Sequence, residues 1–296
     1  MILVFGHNFS YTDIDSIVSS IALAYILKAE GKDAKPVIIN KNAVQDSEKN
    51  IISKIGGLEI PEFVSKDMVS DNEIAIVDHN DPDESYGAIG INKTPVFCID
   101  HHSDTGIKAD VKIIKKVGAA ATLVAKLAKD KSIKLTDSVA EALVFGILSD
   151  TKGFRSKKTT QDDKDMVEYL YSAYHILKSV EEIVAIVIVD TDINNMTIGE
   201  ILNNDLKEYN NDLIGIASME VTDDDYLARI DEIKKEGWNT KYELYIFMLF
   251  KFHKNETSVY YFDKKYKCFP DIKNYKSIIS RGQDIVPEIF EKISKP

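Results

Sequence analysis

The sequence predicts an α/β protein: an N-terminal doubly wound, mainly parallel sheet, followed by a smaller C-terminal α/β domain. Three observations lead there. Short apolar runs with no inside–outside alternation, at 1–5, 34–39, 74–77 and 96–99, are separated by helix-length stretches, the pattern of a parallel sheet covered on both faces. Four apolar runs each end in His or Asp: Met1–Phe5 before Gly6-His7, 74–77 before Asp78-His79, 96–99 before Asp100-His101-His102, and 144–148 before Ser149-Asp150. Beyond residue 195 the character changes, and apolar runs at 213–219, 244–249 and 258–262 read as strands of a second domain.

Each element has a local cause. The stretch 17–27 is apolar on most sides and reads as a buried helix, with Gly31 as its C-terminal stop. Residues 48–56 read as a second helix, 117–129 as a third, and 162–189 as helical closure of the first domain. The fourth run, 144–148, reads as one more strand delivering Asp150 to the same edge. The polar segment 190–195 is the expected linker between domains at 1–189 and 196–296. Ligands of such sheets bind beyond the carboxyl ends of the strands, where all four polar clusters would meet.

Composition narrows the function classes. Hydrophobic residues make up 44% and charged residues 29%, as in a soluble globular protein. Lys+Arg numbers 37 against 48 for Asp+Glu, a formal charge of −11, so the basic footprint of a nucleic-acid binder is missing. The apolar run at 17–27 is well short of the ~20 residues that span a bilayer, so no membrane partner is expected. No basic region precedes the first apolar run, unlike a signal peptide. Cys98 and Cys268 follow no metal-ligand spacing and fit a reducing cytosol, so a cytoplasmic location is expected.

His7, Asp13, Asp15, Asp78, His101 and Asp150 supply four carboxylates and two imidazoles. Hard divalent cations take carboxylate oxygen, and Mn²⁺ also accepts imidazole. That is more than one ion needs; it suits two ions about 3.5–4 Å apart that bridge and activate a water. Any one of these residues reads equally well as a loop residue or a helix cap, Asp15-Ser16 above all. The four clusters together carry the argument. His175 and His253 lie outside them and read as structural.

These segments resemble the DHH phosphoesterase superfamily. The residues that carry the resemblance are Asp13-Ile14-Asp15-Ser16, Asp78-His79-Asn80, Asp100-His101-His102, Gly118-Ala119-Ala120-Ala121-Thr122 and Ser149-Asp150-Thr151. The C-terminal half is similar to the DHHA2-type domain of manganese-dependent (family II) inorganic pyrophosphatases and related exopolyphosphatases, through Asp205-Leu206-Lys207-Glu208-Tyr209 and Ser280-Arg281-Gly282-Gln283. No Gly-Gly-Gly-His segment of the nuclease branch occurs in that half.

The resemblance implies two Mn²⁺, with Mg²⁺ or Co²⁺ as substitutes. His7, Asp13 and Asp78 would hold one ion, and Asp15, Asp78, His101 and Asp150 the other. It implies that His102, Lys207 and Arg281 bind phosphate, His102 donating a proton to the leaving group and Asp100 orienting the histidine pair. Metals in one domain and cations of the other would then clamp a small phosphoanhydride. A homodimer is allowed by the resemblance, though no residue of this chain points to one.

Two departures stand out. Asp13 and Asp15 lie six and eight residues after His7, two more than in the family motif, which puts the reach of His7 in question and offers Asn8 or a water instead. Gly282 stands where the family has a lysine; Arg155, Lys157 and Lys158, close after Asp150, read either as compensation for that lost cation or, by preference, as a solvated loop. Three activities are open at this point: pyrophosphate hydrolysis, exopolyphosphatase action on short polyphosphate, and metal or nucleotide binding with little catalysis.

Overall fold

The computed structural model describes residues 1–188, 193–210 and 213–294. The chain divides into two compact units, one of Met1–Phe154 with Lys158–Val187, the other of Arg155–Lys157 with Ile188–Pro296. The expected linker at 190–195 lies partly outside the described residues. Of its remainder, Ile193–Asn195 forms a 3₁₀ turn, and Ile193 is buried in the core of the second unit.

In the first unit the chain runs β1 (Ile2–Phe5), α1 (Ile14–Ala29), β2 (Ala34–Ile38), α2 (Asp46–Ser53), β3 (Glu62–Phe63), α3 (Lys66–Ser70), β4 (Glu73–Val77), β5 (Phe97–Asp100), β6 (Val111–Ile114), α4 (Ala120–Asp130), α5 (Asp137–Asp150), α6 (Gln161–Ala173) and α7 (Val180–Val187). The strands form one six-stranded sheet in the order β3-β2-β1-β4-β5-β6. Every pairing in it is parallel. The order reverses between β1 and β4, so the switch point lies at their carboxyl ends, where an open parallel sheet leaves a crevice. The four core strands are apolar because both faces are covered. Leu3, Phe5, Ile74, Ile76 and Cys98 pack with Tyr86 in one cluster, while α1 packs against α4 and α5.

The reading of 144–148 as a strand is wrong. These residues form the C-terminal half of α5, in which every residue from Val139 to Leu148 is buried. A helix buried all round shows no polar stripe, so periodicity cannot separate it from a buried strand. The N-terminal signal was in the sequence nonetheless: Thr136 caps α5 through its side chain, which accepts from Val139 N–H, and Asp137 occupies the first turn. The helical closure at 162–189 divides into α6 and α7. The short edge strands β3 and β6 are too brief and too exposed to have been read from the sequence.

The second unit contains α8 (Ile198–Asn203), β7 (Lys207–Tyr209), β8 (Ile214–Val221), α9 (Ile230–Glu236), β9 (Leu244–Lys251), β10 (Glu256–Asp263), β11 (Ile272–Tyr275) and α10 (Val286–Ile293). Its sheet, in the order β11-β10-β9-β8-β7, is mixed, only β8 and β9 being parallel. Ala217, Met219, Tyr245, Phe247, Tyr260 and Phe262 lie in its core. Among the described residues no helix is long and apolar enough to cross a membrane.

Gly146 lets the helices of the first unit approach. A Cβ there would lie 2.7 Å from Val18 Cγ2 and 3.0 Å from Ala121 Cβ. Alanine gains at most about 1 kcal/mol in helix propensity, less than the ~1–3 kcal/mol typical of overpacking. Gly146→Ala is therefore expected to destabilise the protein, read as a lower urea midpoint; an unchanged or higher midpoint would show that α1 and α4 yield freely.

Candidate metal centre

Three strand ends deliver the centre. His7 follows β1, Asp78 follows β4 and His101 follows β5. Asp78 leaves its strand with φ 63°, a left-handed backbone that is costly outside glycine and is tolerated chiefly where surroundings enforce it. Here its N–H donates to Ile99 O at 2.9 Å. The turn aims the carboxylate, 1% exposed, between two imidazoles. Its Oδ2 lies 3.4 Å from His7 Nε2 and its Oδ1 3.2 Å from His101 Nε2. Each imidazole meets a second carboxylate: His7 Nε2 lies 3.3 Å from Asp13 Oδ2, and His101 Nε2 3.3 Å from Asp150 Oδ2.

The other ring nitrogens set the orientation. His7 Nδ1 lies 3.1 Å from Tyr11 O, and His101 Nδ1 lies 3.1 Å from Val117 O. A carbonyl at Nδ1 makes that nitrogen the N–H donor and leaves the Nε2 lone pair to a cation, the usual arrangement of a metal-binding histidine. The lengthened loop thus brings His7 into the cluster, its own Tyr11 carbonyl fixing the ring. Asn8, weighed as a substitute, is tied elsewhere: its Nδ2 donates to Val37 O and its Oδ1 accepts from Ile39 N–H.

Both aspartates of the first motif also hold helices. Asp13 caps α1, its Oδ1 accepting from Ser16 N–H at 2.9 Å, so Asp13 rather than Asp15 starts that helix. Asp15, in the first turn, reaches across to α4, whose N-terminal Ala119 has no capping side chain. Asp15 Oδ2 accepts from Ala120 N–H at 2.6 Å and Oδ1 from Ala121 N–H at 2.9 Å. Ser16 Oγ donates to Asp78 Oδ2 at 2.5 Å and accepts from His7 N–H at 3.3 Å. The sequence shows Ser16 only as part of a motif and, with Asp15, as a possible helix start; its place between Asp78 and His7 comes from the fold.

The arrangement fits a hard divalent cation. One group, His7, Asp13 and Asp78, and another, Asp15, His101 and Asp150, each offer ligand atoms within 4.8 Å of one another. The charges make the same point. Burial, and then the charges of Asp78, Asp150 and Asp13, push the Asp15 carboxyl well above the usual range. Burial lowers the pKa of His7, yet Asp13 and Asp78 prevail and raise it to about 10. Without metal these buried carboxylates must therefore be offset by bound protons; divalent metal held there would supply that charge instead. For Asp150, burial opposes ionisation, but Lys158 and His101 hold its carboxyl below the usual range.

Asp100 lies close to Asp78, His101 and His102, but its oxygens are occupied. Oδ1 accepts from His101 N–H at 2.7 Å, His102 N–H at 3.2 Å and His102 Nδ1 at 2.9 Å, and Oδ2 accepts from Asn80 Nδ2. Burial disfavours its charge, but these donors hold it far below the ordinary carboxylate range. The half-exposed His102 ring is raised to about 9: its surroundings favour the neutral form, and the Asp100 hydrogen bond with the charges of Asp78 and Asp100 outweighs them. At neutral pH a ring so held carries a proton, with Nδ1 engaged on Asp100.

The remaining expected site residues separate. Lys207 and Arg281 both lie in the second unit, Lys207 in β7. Arg281 Nη2 pairs with Asp205 Oδ2 at 3.0 Å, and its Nη1 donates to Asp205 O at 2.5 Å and Ile216 O at 3.3 Å. Open space surrounds the Cβ position of Gly282, so nothing steric forbids a lysine there. Lys158 is not the solvated loop residue expected: its side chain is 13% exposed and sits on Asp150. Asp163, which the sequence reading passed over, is fully buried and accepts from Gly118 N–H, Thr122 Oγ1 and Thr160 N–H. His175 and His253 lie apart from the centre, His253 pairing with Asp224.

The chain carries two family domains in succession: the model of the DHH family, N-terminal domain, matches residues 1–147, and that of the DHHA2 domain matches residues 185–291. It is similar to the "Probable manganese-dependent inorganic pyrophosphatase" of Listeria innocua, 26% identical with 99% of each chain covered. The Deinococcus radiodurans protein of the same name is 28% identical over 80% of this chain and 78% of its own. A Methanococcus jannaschii structure assigned to family II inorganic pyrophosphatase shares the fold with a TM-score of 0.74, at 24% identity and 99% coverage of each chain. An exopolyphosphatase-related protein from Bacteroides fragilis shares it with a TM-score of 0.53, at 15% identity, covering 99% of this chain and 91% of that one.

His79, although in a motif, serves the scaffold. It is fully buried, with Nδ1 2.9 Å from Val77 O and Nε2 2.7 Å from Ser85 Oγ, and burial lowers its pKa to about 4. The unfolded chain takes up a proton near pH 6.5 that the folded protein refuses until about 4. Stability is thus intact above pH 6.5 and falls toward pH 4, by on the order of 3 kcal/mol from this group. Imidazole NMR should find the His79 ring neutral at pH 5.5; a ring titrating near 6.5 would contradict the burial argument.

Proposed function

We propose that the protein hydrolyses inorganic pyrophosphate to two phosphates with two Mn²⁺, Mg²⁺ or Co²⁺ serving as substitutes. The observation that carries this reading is Asp78, whose two oxygens each face a different imidazole–carboxylate group. A carboxylate so placed suits a bridge between two cations, with His7 and Asp13 on one side and Asp15, His101 and Asp150 on the other. When bound, the ions would lower the pKa of a shared water and neutralise the phosphates.

The chain's own residues do the rest. Ser16 and the Tyr11 carbonyl hold Asp78 and His7 in place. His102, charged through Asp100, donates a proton to the departing phosphate. Lys207 and Arg281 are the proposed phosphate ligands of the second unit, with Asp205 keeping the Arg281 guanidinium oriented. The names of the Listeria and Deinococcus relatives support the substrate and metal. Two free cysteines, one buried and one exposed, accord with a cytoplasmic setting.

A phosphate-release assay with Mn²⁺ against pyrophosphate and short polyphosphates should show pyrophosphate turnover. Turnover confined to longer chains would assign an exopolyphosphatase instead, and fewer than two ions at saturating Mn²⁺, with no turnover, a binding relative. Outer-sphere substitutions cost roughly 10–100-fold in such centres, so Asp78→Asn should lose at least about 100-fold in kcat; near-normal turnover would refute the bridge. Removing a general acid costs about 10²–10⁴-fold. His102→Gln should lose a comparable factor in kcat with two ions still bound, and an unchanged kcat would remove His102 from the reaction.

A further inference from the structure

Asp150 closes the last turn of α5, where the helix dipole adds to its negative charge. The Lys158 ammonium lies 2.5 Å from Asp150 Oδ2, the oxygen that also faces His101 Nε2 at 3.3 Å. A lysine on an exposed carboxylate usually contributes little. This pair is different: the lysine side chain is 13% exposed and the aspartate 22%, and the shared oxygen is the one turned toward His101 Nε2, within the Asp15–His101–Asp150 group that could hold a cation.

That group already contains a monovalent cation supplied by the chain. A divalent ion can take Asp150 Oδ2 only by displacing the ammonium or sharing the oxygen with it. Lysine suits displacement, being a compact charge on a four-carbon stem that can swing away without backbone movement. A divalent ion carries twice the charge and gains Asp15 and His101 as well, so it wins the exchange at reduced affinity.

We propose that Lys158 is a built-in competitor for the metal position formed by Asp15, His101 and Asp150, weakening that position so that the two ions load with unequal affinity. The inference rests on the two-metal reading above. It assigns to a residue beside the centre the control of how much metal the protein needs before both positions fill.

The test is calorimetric titration of the metal-depleted full chain with MnCl₂, for wild type, Lys158→Met, Lys158→Gln and Lys158→Arg. Two ions are expected in each, and the weaker step should tighten about 10- to 100-fold in both neutral variants, the range for releasing a charge-assisted pair. Lys158→Arg, which keeps the charge but holds a carboxylate with a two-pronged guanidinium, should not tighten that step, and tightening in it would overturn the role of the charge. Two ions with both steps unchanged in the neutral variants would overturn the role of Lys158 and leave the metal centre standing. Weaker binding in them would also overturn it, since the lysine would then be holding Asp150 in place for the metal. Failure of the wild type to bind any ion would remove the metal centre, and this inference with it.

Discussion

Everything in the first unit is arranged around the burial of the Asp78 carboxylate. It is 1% exposed, and a buried charge is tolerated only when paired and hydrogen-bonded. Its partners come from separate parts of the chain: His7 after β1, Ser16 on α1 and His101 after β5. Holding them together requires β1 and β4 to be neighbours and the order of strands to reverse between them. The left-handed turn at Asp78 is the local cost of aiming one side chain into that reversal.

The same economy governs the surrounding carboxylates. Asp13 gives one oxygen to the N-terminus of α1 and turns the other toward His7. Asp15 supplies the cap that α4 lacks, Ala119 having no side-chain oxygen, and so ties two helices to the centre. Asp100 spends its acceptors on His101, His102 and Asn80. Each charge is thereby held in a fixed direction before any ligand arrives, which is what preorganised electrostatics requires. The neighbouring glycines serve that closeness: a Cβ at Gly6 would lie 2.7 Å from Ser16 O, and one at Gly118 would lie 2.4 Å from Thr151 Cγ2.

Much of this was legible before folding. Apolar runs ending in His or Asp located β1, β4 and β5 and the edge at which they meet, because a strand buried on both faces must be apolar and its first exposed residues can then be polar. The run at 144–148 misled because a helix buried on every side has the composition of a buried strand. Lys158 was read as solvated because a lysine in a basic stretch has no local sign of the carboxylate it will meet. Asp163 was missed for a similar reason, since its donors on Gly118 and Thr122 lie more than forty positions away in sequence.

By itself the sequence determined the chemistry available: which carboxylates and imidazoles the chain carries, the strand ends that deliver three of them, and a second domain of different character. Tertiary structure alone decided the allocation. It showed that the longer loop still carries His7 to Asp78, that Asp100 faces histidine donors on three sides of one oxygen, and that Asp150 arrives on a helix with Lys158 against it. The physical reason is that residue type and spacing set what a side chain can do, whereas direction depends on contacts between segments distant in sequence. Asp100-His101-His102 could be recognised as a triplet; only the fold divided it into one imidazole facing Asp78 and Asp150 and another charged by the aspartate that opens the triplet.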